Sequence, residues 1–397
     1  MGALLKTGTV EKIVNGGFGL VRSEEGVVFL SYVIPGEQVR YRIKERAKGI
    51  NWGELIDVIE PFHGRVVPEC RHFGECGGCT LSHMNYEDQL QIKQDILYDA
   101  LARIGKLKVD PVNVYPSPAF QYRARARLKG IEGGHIGFIK KGTNEVMEIT
   151  SCRIVAPEID HFITTWNSIE GMPFLHQLDL FFNASDQTLY VHLSEEPWNS
   201  HLKILDSFKN TVFSWKGNVK KSGYKMEAGG NLYRISPENF FQVNRYQWNN
   251  MLEIADSWLE TTGTAIDLYT GSGFFIPVLM KYASRVIGIE NSKRAVELAG
   301  HSFKNTEFLR IPVEKYSFRS ADSMIIDPPR SGIPGKVLQE IIGIKPDPVV
   351  YISCSTATLA RDLSAFVTNG YTIRKLNLID MFPQTAHIET MAYLRLK

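Results

Sequence analysis

Four short apolar runs, TAIDLY, RVIGIE, SMIIDPP and PVVYISCS, follow one another through the C-terminal part of the chain, with helical stretches between most of them. This alternation constrains the fold more than any other feature. Continuous apolar strands must be covered on both faces, and crossover helices supply that cover. The pattern predicts an α/β, Rossmann-like, doubly wound parallel sheet over residues 236–397, entered through the amphipathic stretch NRYQWNNMLEIADSWLE. In such a sheet, ligands bind where the strands end.

The residues at those ends bear chemistry. AIDLYTGSGFF places Asp267 late in a strand and Gly271 and Gly273 in the turn after it, where glycine lets the backbone approach a ligand closely. The next strand closes on Glu290, suited to ribose hydroxyls. Nicotinamide enzymes and methyltransferases share this layout. IIDPPRSG ends a strand at Asp327, and the pattern resembles a motif of base-modifying enzymes that use S-adenosylmethionine. Cys354 closes VVYISCS at the same edge, a soft nucleophile if ionised. In DMFPQTAHIETMAYLRL, His387 and Glu389 open a terminal strand, and one of them could accept a proton.

At 397 residues, two or three domains are expected. Residues 1–60 carry five short strands joined at Asn-Gly-Gly, Glu-Glu-Gly and Pro-Gly-Glu, which predicts a small closed barrel. A helix is expected from about Tyr86 to Ile104, then a strand-rich, mostly antiparallel region from about 112 to 230. Hydrophobic content of 44% and charged content of 22% are those of a soluble globular protein. The start MGALLKTGTVEKIV lacks the apolar run of a signal peptide, so a cytoplasmic location and no membrane partner are expected. A net charge of +2 does not announce a nucleic-acid binder. Arg123, Arg125, Arg127 and Lys129 alternate along one predicted strand, and Lys216, Lys220, Lys221 and Lys225 cluster later. Either stripe suits phosphates or a solvated face.

Cys70, Cys76 and Cys79 lie in PECRHFGECGGCT, and Cys152 follows in EITSCRIV. In a reducing compartment four such thiols read as metal ligands. Both structural zinc and an iron–sulfur cluster accept four thiolates. His72 and His83 are possible substitutes, expected on the loop surface.

Taken in order, these segments resemble the RNA uracil-5-methyltransferases that carry a TRAM barrel and an iron–sulfur cluster, typified by the bacterial 23S ribosomal RNA enzymes. The motifs are PECRHFGECGGC with Cys152, ENFFQVN, DLYTGSG, IDPPRSG, YISCSTATLARD and DMFPQTAHIET. The resemblance implies a TRAM barrel over 1–60, a central iron–sulfur domain over 61–235 and a methyltransferase domain over 236–397. It implies Cys354 as nucleophile on uracil C6 and Glu389 as general base. Gln242, Tyr269, Glu290 and Asp327 would contact S-adenosylmethionine, and Cys70, Cys76, Cys79 and Cys152 would hold a 4Fe-4S cluster. Phe240 or Phe241 would receive the extruded base. The partner would be RNA, 23S rRNA or alternatively the tRNA T-loop, and the protein a monomer. Three positions depart from the family pattern: Cys-Ser-Thr for Cys-Asn-Pro at the nucleophile, Phe274 for a polar side chain, and Pro312 for Asn.

Overall fold

The computed structural model describes residues 5–24, 26–47 and 49–397. Met1–Leu4, within the stretch read for a signal peptide, and Glu25 of the Glu-Glu-Gly turn lie outside the described residues.

The first five strands, β1 (Lys6–Val14), β2 (Phe18–Ser23), β3 (Gly26–Ser31), β4 (Gln38–Ala47) and β5 (Ile50–Glu60), form a closed barrel in the order β1-β2-β3-β5-β4. Alternate residues point inward, as the pleat requires. Val28 and Leu30 of β3 and Val39 and Tyr41 of β4 meet Val10 and Val21 inside. At the turn before β4, the buried Glu37 carboxylate accepts from Ile34 N at 2.8 Å and pairs with Arg65 at 2.5 and 2.7 Å. That arginine anchors the barrel to the loop leading to the cysteines.

Helix α1 (Tyr86–Ala100) starts at Asn85, whose side chain accepts from Asp88 N at 2.9 Å. Glu87 and Asp88 in its first turn face the positive end of the helix dipole. A single π-helical turn, Leu101–Gly105, follows and stops at Lys106 in the left-handed conformation. Strand β6 (Asn113–Tyr115) then adds to an edge of the C-terminal sheet, parallel to its neighbour.

The central sheet has six strands: β7 (Arg125–Gly130), β8 (Ile136–Ile139), β9 (Val146–Glu148), β10 (Gln177–Asn183), β11 (Thr188–Leu193) and β12 (Thr211–Trp215). All its pairings are antiparallel except β11 with β12. Helix α2 (Pro157–Ser168) buries Phe162 and Trp166 against it, α3 (Asn199–Leu205) precedes β12, and the hairpin β13 (Tyr224–Ala228)–β14 (Asn231–Ile235) closes the region. The arginine stripe is largely satisfied internally. Arg125 donates to Pro237 O at 2.7 Å, Arg127 pairs with Asp179 at 2.6 Å and Lys129 donates to Gln177 at 2.7 Å.

The C-terminal part alternates as expected: α4 (Trp248–Asp256), β15 (Thr262–Leu268), α5 (Ile276–Tyr282), β16 (Ala283–Glu290), α6 (Lys293–Ser302), β17 (Glu307–Arg310), β18 (Ser323–Ile326), α7 (Gly335–Ile344), β19 (Val349–Ser353), α8 (Thr356–Thr368), β20 (Tyr371–Ile379) and β21 (Glu389–Leu396). The sheet order is β17-β16-β15-β18-β19-β21-β20-β6, and only β21 runs against the rest. No helix among the described residues is long and apolar enough to cross a membrane.

The barrel, α1 and one face of the large sheet share one continuous apolar core. Inside this molecule Lys93 of α1 and Asp380, just after β20, form an ion pair at 2.6 Å with neither side chain exposed. Tyr86 OH donates to the second Asp380 oxygen at 2.8 Å, and Lys93 also donates to Phe382 O at 2.9 Å. Burial lowers the Lys93 pKa and Asp380 opposes that shift. Removing one partner of such a pair strands a buried charge, so Lys93→Met should cost about 3–5 kcal/mol of stability. Denaturant unfolding of the variant beside the native chain checks this.

Candidate active site

Because β21 is antiparallel to its neighbours, its first residue stands at the edge where the parallel strands end. The pairing makes the consequence specific. Ser353 lies opposite Thr390, so Cys354, which follows β19, and Glu389, which opens β21, come together at the edge, near enough for the carboxyl's charge to act on the thiol. Thr390 Oγ1 donates to Ser353 O at 3.1 Å and fastens this junction. Asp327 follows β18, the strand on the other side of β19, and accepts from Gln242 Nε2 at 3.2 Å.

These acids crowd one another. Burial, then the charges of Glu389 and Asp327, pushes the Cys354 thiol up to about 11, while Arg330 pulls the other way. Burial chiefly, with Asp327 adding, holds the Glu389 carboxyl well above the usual carboxylate range. Asp327 is only partly covered by surface area but sits deep in the cleft, and burial raises it to about 7. Asp267, buried behind it, is raised to about 8 by burial, with Asp327 and Glu290 contributing and Thr270 opposing. His387 shows an exposed edge at the rim but is backed by protein; burial first, then Arg330, Lys93 and Arg123, lowers it to about 4. It is therefore neutral at pH 7.

The glycine turn after β15 is built for close approach. Gly273 has φ +86°, and a Cβ there would stand 3.0 Å from the Phe303 ring. Gly271 N donates to Glu290 Oε2 at 3.1 Å, and Ser292 N to Oε1 at 2.7 Å. Tyr269 holds φ +62°, and its hydroxyl is buried without a hydrogen-bond partner; so is Asp267 Oδ1. Unpartnered polar atoms beside an open turn are what a polar ligand would satisfy.

Of the two phenylalanines before Gln242, Phe241 packs in the core against Tyr233, Trp248 and Phe274, whereas Phe240 is 62% exposed. Phe274 is buried in the same aromatic group, which explains an apolar residue there. After Cys354, Ser355 caps α8, its side chain accepting from Thr358 N, and Thr356 is the first helical residue. Serine caps as well as asparagine, so Cys-Ser-Thr keeps the turn that presents Cys354. Arg330 was missed as a site residue although it lies within the Asp-Pro-Pro-Arg motif. Its charge acts on Cys354, Glu389 and His387, which places it beside the edge.

Away from this edge, Cys70, Cys76, Cys79 and Cys152 line one cavity of about 480 Å³, together with Arg123, Lys141 and Arg153. Burial raises the Cys79 thiol to about 12 and Cys152 to about 11, and each feels other cysteines of the set. Among the described residues no group of three or more His, Cys, Asp or Glu side chains is closed around a single-ion position. His83 corrects an expectation. It is buried, not on the loop surface: its Nε2 lies 3.2 Å from Val33 O and its ring packs against Tyr32 and Phe73. Burial lowers it to about 4, so a neutral ring seals the barrel against the cysteine loop.

Residues 161–397 match the family model described as tRNA (uracil-5-)-methyltransferase. The chain belongs to this family. It is 30% identical to an uncharacterized RNA methyltransferase of Aquifex aeolicus, over 98% of each chain. It is 29% identical to a 23S rRNA (uracil(1939)-C(5))-methyltransferase of Vibrio parahaemolyticus, over 96% of this chain and 94% of the relative. Among solved structures it resembles the Pyrococcus abyssi tRNA (uracil-54, C5)-methyltransferase in complex with S-adenosyl-L-homocysteine, with a TM-score of 0.76, 25% identity and coverage of 98% and 99%.

A carboxyl group whose pKa rises on folding makes the folded state bind more protons than the unfolded one. Stability is then lost as pH rises from the unfolded to the folded value. For Asp327 that window runs from 3.8 to about 7. The ligand-free protein should melt progressively lower across it, and Asp327→Asn should flatten this part of the profile. Thermal melts at stepped pH measure both.

Proposed function

We propose that this methyltransferase transfers the methyl group of S-adenosylmethionine to C5 of a uridine in 23S rRNA, through a covalent bond between Cys354 and uracil C6. The observation that carries the reading is the cross-strand juxtaposition of Cys354 and Glu389, beside Asp327, at one sheet edge.

S-adenosylmethionine supplies an electrophilic methyl carbon on a positively charged sulfur, a charge suited to a cleft of raised carboxyl groups. At the glycine turn, Glu290 retains lone pairs for ribose hydroxyls beyond its two backbone donors, and Tyr269 OH offers a free donor. Gln242 and Asp327, bonded to each other, bridge the donor side to the base. The extruded uracil has the exposed Phe240 ring to stack on.

Cys354, its proton given up to solvent, adds to C6, and the C5–C6 π pair moves into an enolate spread over C5 and O4. The enolate C5 bonds to the methyl carbon as the carbon–sulfonium bond breaks. Glu389 takes the C5 proton, the C5–H pair re-forms the double bond, and the Cys354 thiolate is expelled. Arg330 is the cation available to steady the carboxylates through this sequence.

We read residues 1–60 as a TRAM barrel, 61–235 as a cluster-bearing region and 236–397 as the catalytic domain. Four thiols on one cavity with room for more than a single ion fit a 4Fe-4S cluster. Cys70, Cys76, Cys79 and Cys152 would hold it, and it would supply structure rather than electrons, because methyl transfer is redox-neutral. The tRNA T-loop is the second reading, favoured by the full-length likeness to the Pyrococcus abyssi enzyme.

Labelled S-adenosylmethionine should mark 23S rRNA lacking 5-methyluridine and leave bulk tRNA unmarked; the reverse outcome selects the second reading. Cys354→Ala should lower transfer by about 10⁴-fold or more, whereas Glu389→Gln should slow turnover by about 10²- to 10⁴-fold and still form an adduct with 5-fluorouridine RNA. Anaerobically purified protein should hold about four iron and four sulfide per chain, and Cys76→Ser should lose both. Zinc in their place would refute the cluster.

A further inference from the structure

The cysteine loop and the segment carrying Glu389 are far apart in sequence yet joined directly. Thr80, the residue after Cys79, donates its backbone N–H to Gln384 O at 3.0 Å, and Leu81 N donates to the same oxygen at 3.0 Å. In return, Ala386 N donates to Thr80 Oγ1 at 2.9 Å. Three residues after Ala386 the chain enters β21 at Glu389.

The segment held this way could not keep its shape alone. Gln384 is a non-glycine residue at φ +67°, a conformation that persists only where the surroundings over-determine it. Those surroundings are Thr80 and Leu81 on its carbonyl, and Gln89 of α1, which accepts from Gln384 N at 2.9 Å and donates to Gln384 Oε1 at 3.2 Å. The barrel closes on the same joint. Gly17, at φ +82°, lies so near that a Cβ there would stand 2.9 Å from Ala386 Cβ and 3.3 Å from Thr80 Oγ1. The buried Lys93–Asp380 pair fixes where the segment begins, and Thr80 fixes its middle, one turn before the base.

We propose that Thr80 is a positioning residue for Glu389, and that through it the four-cysteine centre sets the geometry of proton removal rather than of nucleophilic attack. The proposal rests on the reading of Glu389 as the base. Cys354 sits between β19 and the Ser355 cap of α8, and the hydrogen bonds of Thr80 run instead to Gln384 and Ala386, in the segment that ends at Glu389. A displacement of about 1 Å at a proton acceptor costs on the order of 10²-fold in rate. Attack and methyl transfer need no such acceptor.

Two RNA substrates separate these steps. On uridine, product release requires loss of the C5 proton. On 5-fluorouridine, C5 carries fluorine, which Glu389 cannot remove as a cation, so methylation halts at the Cys354–C6 adduct. Adduct rate therefore reports attack and methyl transfer alone. In the full-length protein, Thr80→Val keeps the shape and loses the hydroxyl acceptor, and Thr80→Ser keeps the hydroxyl. Thr80→Val should lower kcat on uridine RNA by about 10- to 100-fold, with KM, iron content and the adduct rate within about 2-fold of the native chain. Thr80→Ser should restore kcat. An unchanged kcat overturns the proposal, and so does a parallel fall of kcat and adduct rate, which marks a general structural role. If the native chain itself gives neither methylated product nor adduct, the reading of the active site fails instead. Should Thr80→Val not fold, the native protein carries the test: chelating its iron should speed amide exchange over residues 384–389 and spare 349–354. Exchange that stays equal in both segments rules the coupling out.

Discussion

One reversed strand organises the chemistry of this protein. A wholly parallel sheet delivers only strand ends to its ligand-binding edge, and each end then runs into a loop. Threading β21 backwards between β19 and β20 brings a strand's beginning to that edge instead. Glu389 thereby opens a strand paired with Ile379 of β20, one residue from the point where Thr390 pairs with Ser353 of β19, beside Cys354. A thiol and a carboxyl group set at neighbouring strand termini of one sheet are fixed to each other more rigidly than two loops could fix them.

The electrostatics follow from that packing. Cys354, Glu389, Asp327 and Asp267 converge in a buried place where Arg330 offsets only the first two, so their acidic groups hold protons that water would remove. Such an arrangement costs the free protein stability and favours a cationic ligand. Raised pKa values and orphaned polar atoms gather at the same edge, as they do where folding energy has been given over to binding.

The site is also not the property of one domain. The barrel, α1 and the large sheet share a core, and the joint of Gly17, Thr80 and Ala386 brings together three parts of the chain that are remote in sequence. Lys93–Asp380, fully buried, ties α1 to the same segment, and the part-buried Glu37–Arg65 pair ties the barrel to the loop before the cysteines. Buried charges of this kind contribute little net stability against apolar substitutes, but they tolerate few alternative arrangements. Here the Lys93–Asp380 pair fixes where the segment before Glu389 begins.

Local pattern determined the elements. Five short strands and their turn residues specified the barrel, and apolar runs alternating with helical stretches specified the doubly wound sheet, because both are short-range consequences of local sequence. Glycines and acids were legible at the strand ends, and the spacing of the cysteines set them apart as a second group, which the fold gathers on one cavity. Pairing across long separations was not legible. Sequence could not say that β21 is inserted antiparallel, that Phe240 is exposed while Phe241 is core, that Arg127 is spent on Asp179, or that His83 is buried. Nor could it give Arg330 its role or join Thr80 to Ala386. Those outcomes depend on which distant segments share a core. Burial, and with it charge, is decided only when they meet.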